Sequence, residues 1–432
     1  NLSARCDSPD AAEVGDPKIG GIALPHTERL IPKTKNPPAK VKDPGVIRLV
    51  MEGRGVYNAK SDELLLLPEG AALFRDVSEG LKQQFFLRAG AQIVDCLGSD
   101  AAIRSIAERF IREYGGAALS FQEERGRRLH LTGWSATQED AREKVNRLKE
   151  GLLPVMADRG IPPCFMESLS PCGSLYTIGG VQTESAVFDG VEGFACPQCG
   201  FGAFADSPAP FKGVQPGEGE ELQPLKDIET PGANTIADLC RQLDITPDRT
   251  LKAMLYISEG EPKRIIAVFI RGDRAISLVK VGHYLRTECG ITSFRRATEQ
   301  ELKEHLGEVA GYCGPVGMPP SVLLLCDESV QGAKNTVVGA NRPGYHRTGC
   351  CFERDFTAPL ADLAQWEEGA PCLNCQTPVK SVIWRKIAHF EVPESAADPA
   401  ERLAFRDRDG SKEFPFRWSG YIDITNILLS SS

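Results

Sequence analysis

Two short cysteine pairs, Cys196-Pro-Gln-Cys199 and Cys372-Leu-Asn-Cys375, carry the plainest chemistry in the chain. A two-residue spacer lets both sulfurs of a pair face one point, so two such knuckles can deliver four thiolates to one tetrahedral metal ion. Cys196, Cys199, Cys372 and Cys375 are therefore the expected ligands of a structural zinc. The alternative is four cysteines that merely pack. A redox role is disfavoured, because neither pair opens a thioredoxin-like helix. The long sequence gap between the knuckles makes sense if the residues between them form an insertion whose incoming and outgoing segments run side by side. The metal would then clamp the root of that insertion.

The elements around these cysteines point the same way. At 432 residues the chain is too long for one ordinary core, and its 41% hydrophobic, 25% charged composition is that of a soluble globular protein of two or three domains. No apolar run nears the roughly 20 residues a membrane helix needs; the longest, such as Ser321 to Cys326, is strand-sized. The net charge of −9 excludes a uniformly basic surface but still permits RNA binding through one local patch. Fourteen scattered cysteines, several in apolar runs (Cys96, Cys240, Cys326), suit reduced core thiols. The expected compartment is thus reducing: the cytoplasm, or an organelle matrix if processing created the Asn1 start.

Residues 1–45 read as an extended arm, with Pro25, Pro32, Pro37, Pro38 and Pro44 among Lys33, Lys35, Lys40 and Lys42. Such an arm is either a solvated tail or a basic strap for RNA or a protein partner. Residues 46–202 alternate strand-like and helical segments, an α+β pattern. Helices are expected over Ala71–Ala91, Ala101–Tyr114 and Gln138–Arg159, the last capped at Thr137, and a strand over Gln92–Leu97. Residues 203–226 are Pro- and Gly-rich and read as a linker. Residues 227–370 then form a compact α/β unit, and residues 371–432 return to the first domain. Within the middle unit a helix starting after Asn234 or Thr235 runs through Leu243, strands cover Lys252–Ile257 and Arg264–Ile270, and Glu299–Leu306 is helical.

Several stretches in a fixed order make the chain resemble bacterial-type prolyl-tRNA synthetase. They are Thr250-Leu-Lys252, Arg271-Gly-Asp273, Gly314-Pro-Val-Gly-Met-Pro319, Val338-Gly-Ala-Asn341 leading to Gly344-Tyr-His-Arg-Thr-Gly349, and Arg354-Asp355. The resemblance implies a class II synthetase-like antiparallel sheet core with an inserted α/β editing domain of the YbaK-like type. It also implies an activity, hydrolysis of alanyl-tRNA for proline, with the acceptor end of that tRNA as partner. By the same resemblance Lys252 contacts the terminal adenosine region, the loop Gly339–Gly344 with Ala340 and Asn341 shapes a small amino-acid pocket, and His389 helps position the substrate. Chemically this kit is sufficient: a deacylase needs an oriented water, amide donors at the developing oxyanion and a cation near phosphate. Glycine at 339 and 344 lets backbone approach the ester. Asp355 is either a site residue or an ordinary ion-pair partner, and His346 is expected at the surface, in a turn.

The synthetase core resembles the family in outline but not in its site. The run Leu67 to Gly98 follows the first signature, which implies a homodimer through the core. The second signature's arginine is replaced by neutral Gln122 in Phe121-Gln-Glu-Glu124, with Arg125, Arg127 and Arg128 as the nearby cations. Phosphate binding needs fixed positive charge, so this change weighs against ATP. Ile427 stands where the third signature has an adenine-stacking arginine. Gly98-Ser-Asp-Ala101 replaces a Thr-X-Glu loop, and Glu184-Ser185 replaces a His-Glu pair. ATP is therefore not expected to bind productively. The third signature, Tyr421 to Leu429, is followed here only by Ser430 to Ser432, with no anticodon-binding domain in this sequence. The expected function is an editing deacylase on a degenerate synthetase scaffold. The alternatives are a non-catalytic subunit of a larger assembly and a working proline–tRNA ligase.

Overall fold

The computed structural model describes residues 18–19, 22–23, 41–58, 63–89, 93–95, 119–124, 128–170, 175–183, 190–212, 215, 217–260, 262–307, 311–397, 403–407 and 410–431. These fall into two compact units, Asn1–Asp76 and Val77–Ser432. Most of the arm, the Ala101–Tyr114 helix, Gly98–Ala101, Glu184–Ser185, Arg125 and Arg127 lie outside the described residues.

In the first unit the arm's expected end at residue 45 already belongs to a helix, Pro44–Met51. Asp43 caps it by accepting from the Gly45 and Val46 amides at 2.9 and 3.3 Å, and Pro44 sits where a missing N–H costs nothing. A hairpin of Gly55–Asn58 and Glu63–Leu66 follows.

The second unit is built on a nine-stranded sheet. Its spatial order is Gly202–Ala203, Gly190–Ala195, Lys380–Val392, Phe416–Asp423, Arg128–Ser135, Leu119–Glu124 and Ile93–Asp95. Leu175–Thr183 also pairs with the long strand Lys380–Val392, and Cys164–Leu169 pairs with Leu175–Thr183. Every pairing is antiparallel except that of the two short strands starting at Ile93 and Leu119. The helix Gln138–Ala157 opens as expected, with the Thr137 hydroxyl accepting from the Asp140 amide, and buries Val145, Leu148, Leu152 and Val155 on one face.

Between Ala195 and Lys380, which face each other across two neighbouring strands, the chain forms a separate α/β module. Five strands run in the order Phe294–Arg296, Leu251–Ser258, Ile265–Arg271, Leu323–Asp327, Leu360–Ala361. A three-stranded sheet, Lys226–Glu229, Tyr345–Cys350, Thr336–Gly339, joins them. The central strand Ile265–Arg271 is apolar and buried on both faces through Ile270, as its continuous run of Ile, Ala, Val and Phe requires. Leu251, Phe269 and Val338 fill one side of the five-stranded sheet; Tyr256, Val281 and Leu285 fill the other. Helices end where the side chains dictate: Thr298 and Glu301 form a reciprocal capping box for Glu299–Leu306, and Thr235 caps Ile236–Leu243.

Polar groups tie the module together, pin the connecting segment to it and link it to the core. Lys280, 3% exposed, donates to Asp362 and to the Ala364 carbonyl, while Asp362 also accepts from the Ala209 amide. Ser277 donates to Asp206, and His283 meets Glu394 at 3.0 Å. The 203–226 segment is irregular but stitched down, with Gln215 donating to the Ser329 and Gln331 carbonyls and Glu220 paired to Arg249. Among the described residues, no helix is long and apolar enough to cross a membrane.

Candidate functional site

The two knuckles come together as the residue pattern requires. Each cysteine turn closes in the same way: the Cys196 amide donates to the Phe201 carbonyl and the Cys372 amide to that of Thr377. The fifth residue of each turn adopts positive φ, Gly200 at 71° and Gln376 at 63°. The Cys196 and Cys375 sulfurs lie 3.4 Å apart and the Cys199 and Cys372 sulfurs 3.5 Å apart. All four lie within 4.8 Å of one another. Sulfurs at about 2.3 Å from a tetrahedral zinc would be separated by roughly 3.8 Å, so the donor set suits that ion. Hydrogen bonds to the Thr377 hydroxyl and amide draw the Cys375 thiol down to about 6, whereas, against the pull of a Phe201 backbone hydrogen bond, hydrogen bonds to the other three sulfurs push the Cys199 thiol up to about 12.

A second arrangement lies inside the module. Thr250 and Val337 form a parallel bridge, and from it two strands run in the same direction, so Lys252 and Gly339 each lie two residues beyond it. Leu251 and Val338 enter one buried cluster, which turns Lys252 and Gly339 to the opposite face. Gly339 in turn pairs with His346 on the next strand. Gly339 and His346 thus face each other on neighbouring strands, and Lys252 lies two residues past the Thr250–Val337 bridge that links the other sheet to them.

Gly339 is required by packing. A Cβ there would meet the Tyr312 and Cys313 carbonyls at 2.3 and 2.4 Å, and one on Gly314 would stand 1.8 Å from the Gly339 carbonyl. Two loops therefore touch backbone to backbone. Asn341, at φ 56°, fastens them: its Oδ1 accepts from the Gly314 amide at 2.8 Å and its Nδ2 donates to the Val316 carbonyl at 3.0 Å. Ala340 is buried beside it, its amide donating to the Tyr345 carbonyl. Gly344, at φ 80°, makes the turn, and its carbonyl accepts from the Thr230 amide at 2.7 Å.

His346 is not a surface turn residue. It lies within the strand Tyr345–Cys350, 5% exposed, with Nδ1 2.6 Å from the Thr230 hydroxyl and its ring 5.4 Å from that of Tyr312. Burial pushes its imidazole down to about 4, so it is neutral at physiological pH. The signal for this was local: His346 stands between the more exposed Tyr345 and Arg347, in the alternation of a half-buried strand.

Lys252 donates to the Gly272 carbonyl at 3.3 Å. Burial draws its ammonium below the ordinary lysine value, against the pull of Glu367 and Asp273. It stands at one end of a cleft of about 830 Å³ between its strand and the helix Leu278–Cys289. Asp355 accepts from the Cys351 amide and pairs with Arg354 at 2.7 Å. Although burial pushes its carboxyl up, those partners hold it below the usual carboxylate range, which favours the ion-pair reading.

His389 stands elsewhere. It is on the core strand Lys380–Val392, opposite Tyr421, with the two rings stacked at 5.5 Å, in a different sheet from Lys252, Gly339 and His346. Arg128, on the neighbouring strand, pairs with buried Asp423 at 3.0 Å and lies over the Tyr421 ring. Gln122 occupies a strand position facing His130. Ile427 is wholly buried in the helix Ile424–Ser430.

Comparison with known proteins places these features. Residues 230–349 match the aminoacyl-tRNA editing domain family, a stretch that starts at Thr230 and includes Lys252, Gly339 and His346. The chain is 35% identical over 239 residues to proline–tRNA ligase of Aquifex aeolicus (strain VF5), covering 54% of this chain and 40% of that protein. It is 33% identical over 223 residues to proline–tRNA ligase of Thermotoga maritima, covering 51% and 37%. A solved chain described as a proposed trans-editing enzyme for prolyl tRNA synthetase is 21% identical and covers 33% of this chain and 87% of that one, with a TM-score of 0.26. The chain thus spans about two fifths of the length of the ligases it matches, is similar to them over about half of its own, and carries the editing-domain fold in its module.

Proposed function

We propose that the protein hydrolyses mischarged aminoacyl-tRNA, with alanyl-tRNA for proline as substrate, in the module of residues 227–370. The observation that carries this reading is buried His346 opposite Gly339, with Lys252 two residues past the Thr250–Val337 bridge, all inside the stretch that matches the editing-domain family. In the proposed reaction water adds to the ester carbonyl, the bond to the ribose oxygen breaks, and that oxygen takes up a proton as the amino acid leaves. His346, neutral and oriented by Thr230, orients the substrate or the water through its remaining ring nitrogen. The tightly apposed Gly314 and Gly339 loops keep the amino-acid side of the site small, and Lys252 supplies positive charge on the RNA side. The test is alanine release from alanyl-tRNA for proline. His346→Ala and Lys252→Ala are each expected to slow it about 10²-fold or more; release by the unaltered protein no faster than the uncatalysed background rejects the reading.

In the same proposal residues 46–202 and 371–432 form a class II synthetase-like core, 203–226 connect it to the module, and the four cysteines hold zinc. The core serves as scaffold and does not activate proline. Support comes from Ile427, whose buried side chain offers nothing to adenine, and from the neutral Gln122. Proline-dependent exchange between ATP and pyrophosphate is expected to be absent, and its detection would establish the ligase reading instead.

A further inference from the structure

A second, smaller cavity lies where the chain enters and leaves the module. It measures about 40 Å³, more than the roughly 10–15 Å³ that one water needs and far less than the roughly 300 Å³ at which sites begin to enclose whole organic ligands. Lys212 lines it from the connecting segment, Arg271 and Arg274 from the turn that follows the strand Ile265–Arg271, and Gln365 and Trp366 from the returning segment. Among the described residues that line it none is a carboxylate, in a chain whose net charge is −9. Both arginines are largely buried against the Phe211 ring, their guanidinium carbons 4.8 and 5.7 Å from its centroid. Two like charges on one ring repel each other, and the acids behind them answer unequally. Arg271 is held by both oxygens of Asp273, at 2.6 and 2.8 Å. Arg274 lies 3.7 Å from Asp327, whose oxygens already accept from the Ser329, Leu363 and Ala364 amides. Its Nη1 is enclosed and donates to no group among the described residues. Lys212 is exposed, with no ion-pair partner among them. A largely buried guanidinium that makes no hydrogen bond calls for an acceptor. Donors arriving from three separate segments suit a tetrahedral oxyanion better than a planar carboxylate, and the size admits a phosphoryl head without a base or a sugar.

We infer that this cavity binds a phosphate group, with Arg274 and Lys212 donating to its oxygens and Arg271 as fixed charge beside them. Two sources share that chemistry: free inorganic phosphate, and a phosphate presented by the backbone of an RNA. Because the segments that enter and leave the module both line the cavity, an occupied site braces that joint. The inference requires neither the deacylase nor zinc. Inorganic phosphate is titrated into the full chain by calorimetry, at an ionic strength held constant with chloride. Saturable binding of one phosphate per chain is expected. Lys212→Gln and Arg274→Gln should each weaken it about tenfold, as the loss of one charge-assisted hydrogen bond requires. Phosphate should also raise the thermal midpoint of the unaltered chain more than that of either variant. Lys212 is exposed, so in chloride alone Lys212→Gln should melt with the unaltered chain, and the test does not hang on Arg274→Gln folding well. A fluorescent RNA hairpin without a single-stranded end is followed by anisotropy in the same buffers. Weaker hairpin binding by both variants means that RNA presents the phosphate. Hairpin binding that is absent or indifferent to them, with phosphate binding that depends on them, makes free phosphate the ligand. The site is overturned when neither probe distinguishes the variants from the unaltered chain, whether because neither binds or because both bind all three proteins alike.

Discussion

A histidine that stays neutral near pH 7 is a different tool from one that titrates there. His346 is held at about 4 by burial, against about 6.5 in an unfolded chain, so between those values the unfolded chain binds the extra proton. The stability tied to His346 is therefore complete above about pH 6.5 and is lost as pH falls towards 4, by up to ~3 kcal/mol. Urea unfolding at pH 7 and at pH 4.5 checks this, with His346→Asn expected to remove most of the difference; equal midpoints at the two pH values would contradict a buried neutral imidazole. The same residue marks what the sequence leaves hidden. Lys252 and Gly339 are legible as residue types in ordered motifs, but which histidine joins them depends on strand register. His389 follows the second knuckle in sequence yet lies on another sheet, whereas His346 is opposite Gly339.

At the scale of elements, what sequence specifies well is ends. Thr137 caps the helix it was expected to start, Thr235 rather than Asn234 caps the next, and Thr298 caps the expected helix Glu299–Leu306, because a cap needs only one side chain and the next three amides. The helix Leu278–Cys289 is not anticipated: its apolar stripe is interrupted by Lys280, whose burial is intelligible only once Asp362 and the Ala364 carbonyl are opposite it. Pairing of strands far apart in sequence, such as Lys226–Glu229 with Tyr345–Cys350, is likewise invisible until the fold brings them together. The contact between the Gly314 and Gly339 loops yields an element-scale prediction. Gly339→Ala inserts a methyl 2.3 Å from the Tyr312 carbonyl, so the two loops must separate. The expected cost is about 1–3 kcal/mol, the range of overpacking, together with loss of alanine release; chemical denaturation and the deacylation assay measure the two effects on one sample. Unimpaired release would show that the loop contact does not shape the site.

For the whole molecule the four cysteines matter most, because they join the two ends of a long excursion of the chain. Elemental analysis of protein prepared without chelator is expected to find one zinc per chain, and none in Cys196→Ser/Cys372→Ser. Since the ion would bind the folded arrangement and not the unfolded chain, chelation should lower the unfolding midpoint on the order of 10 °C; an unchanged midpoint would mean that the thiols only pack. The position of this clamp has a corollary for the molecule's modular history and its engineering. Ala195 and Lys380 already face each other on adjacent antiparallel strands, so the core treats most of what lies between them as an elaborated hairpin tip. Splicing Ala195 to Lys380 through an Asn-Gly turn should leave a continuous antiparallel ribbon with its register intact, making the intervening cassette removable at the loss of only the two-residue edge strand Gly202–Ala203 from the sheet that carries it.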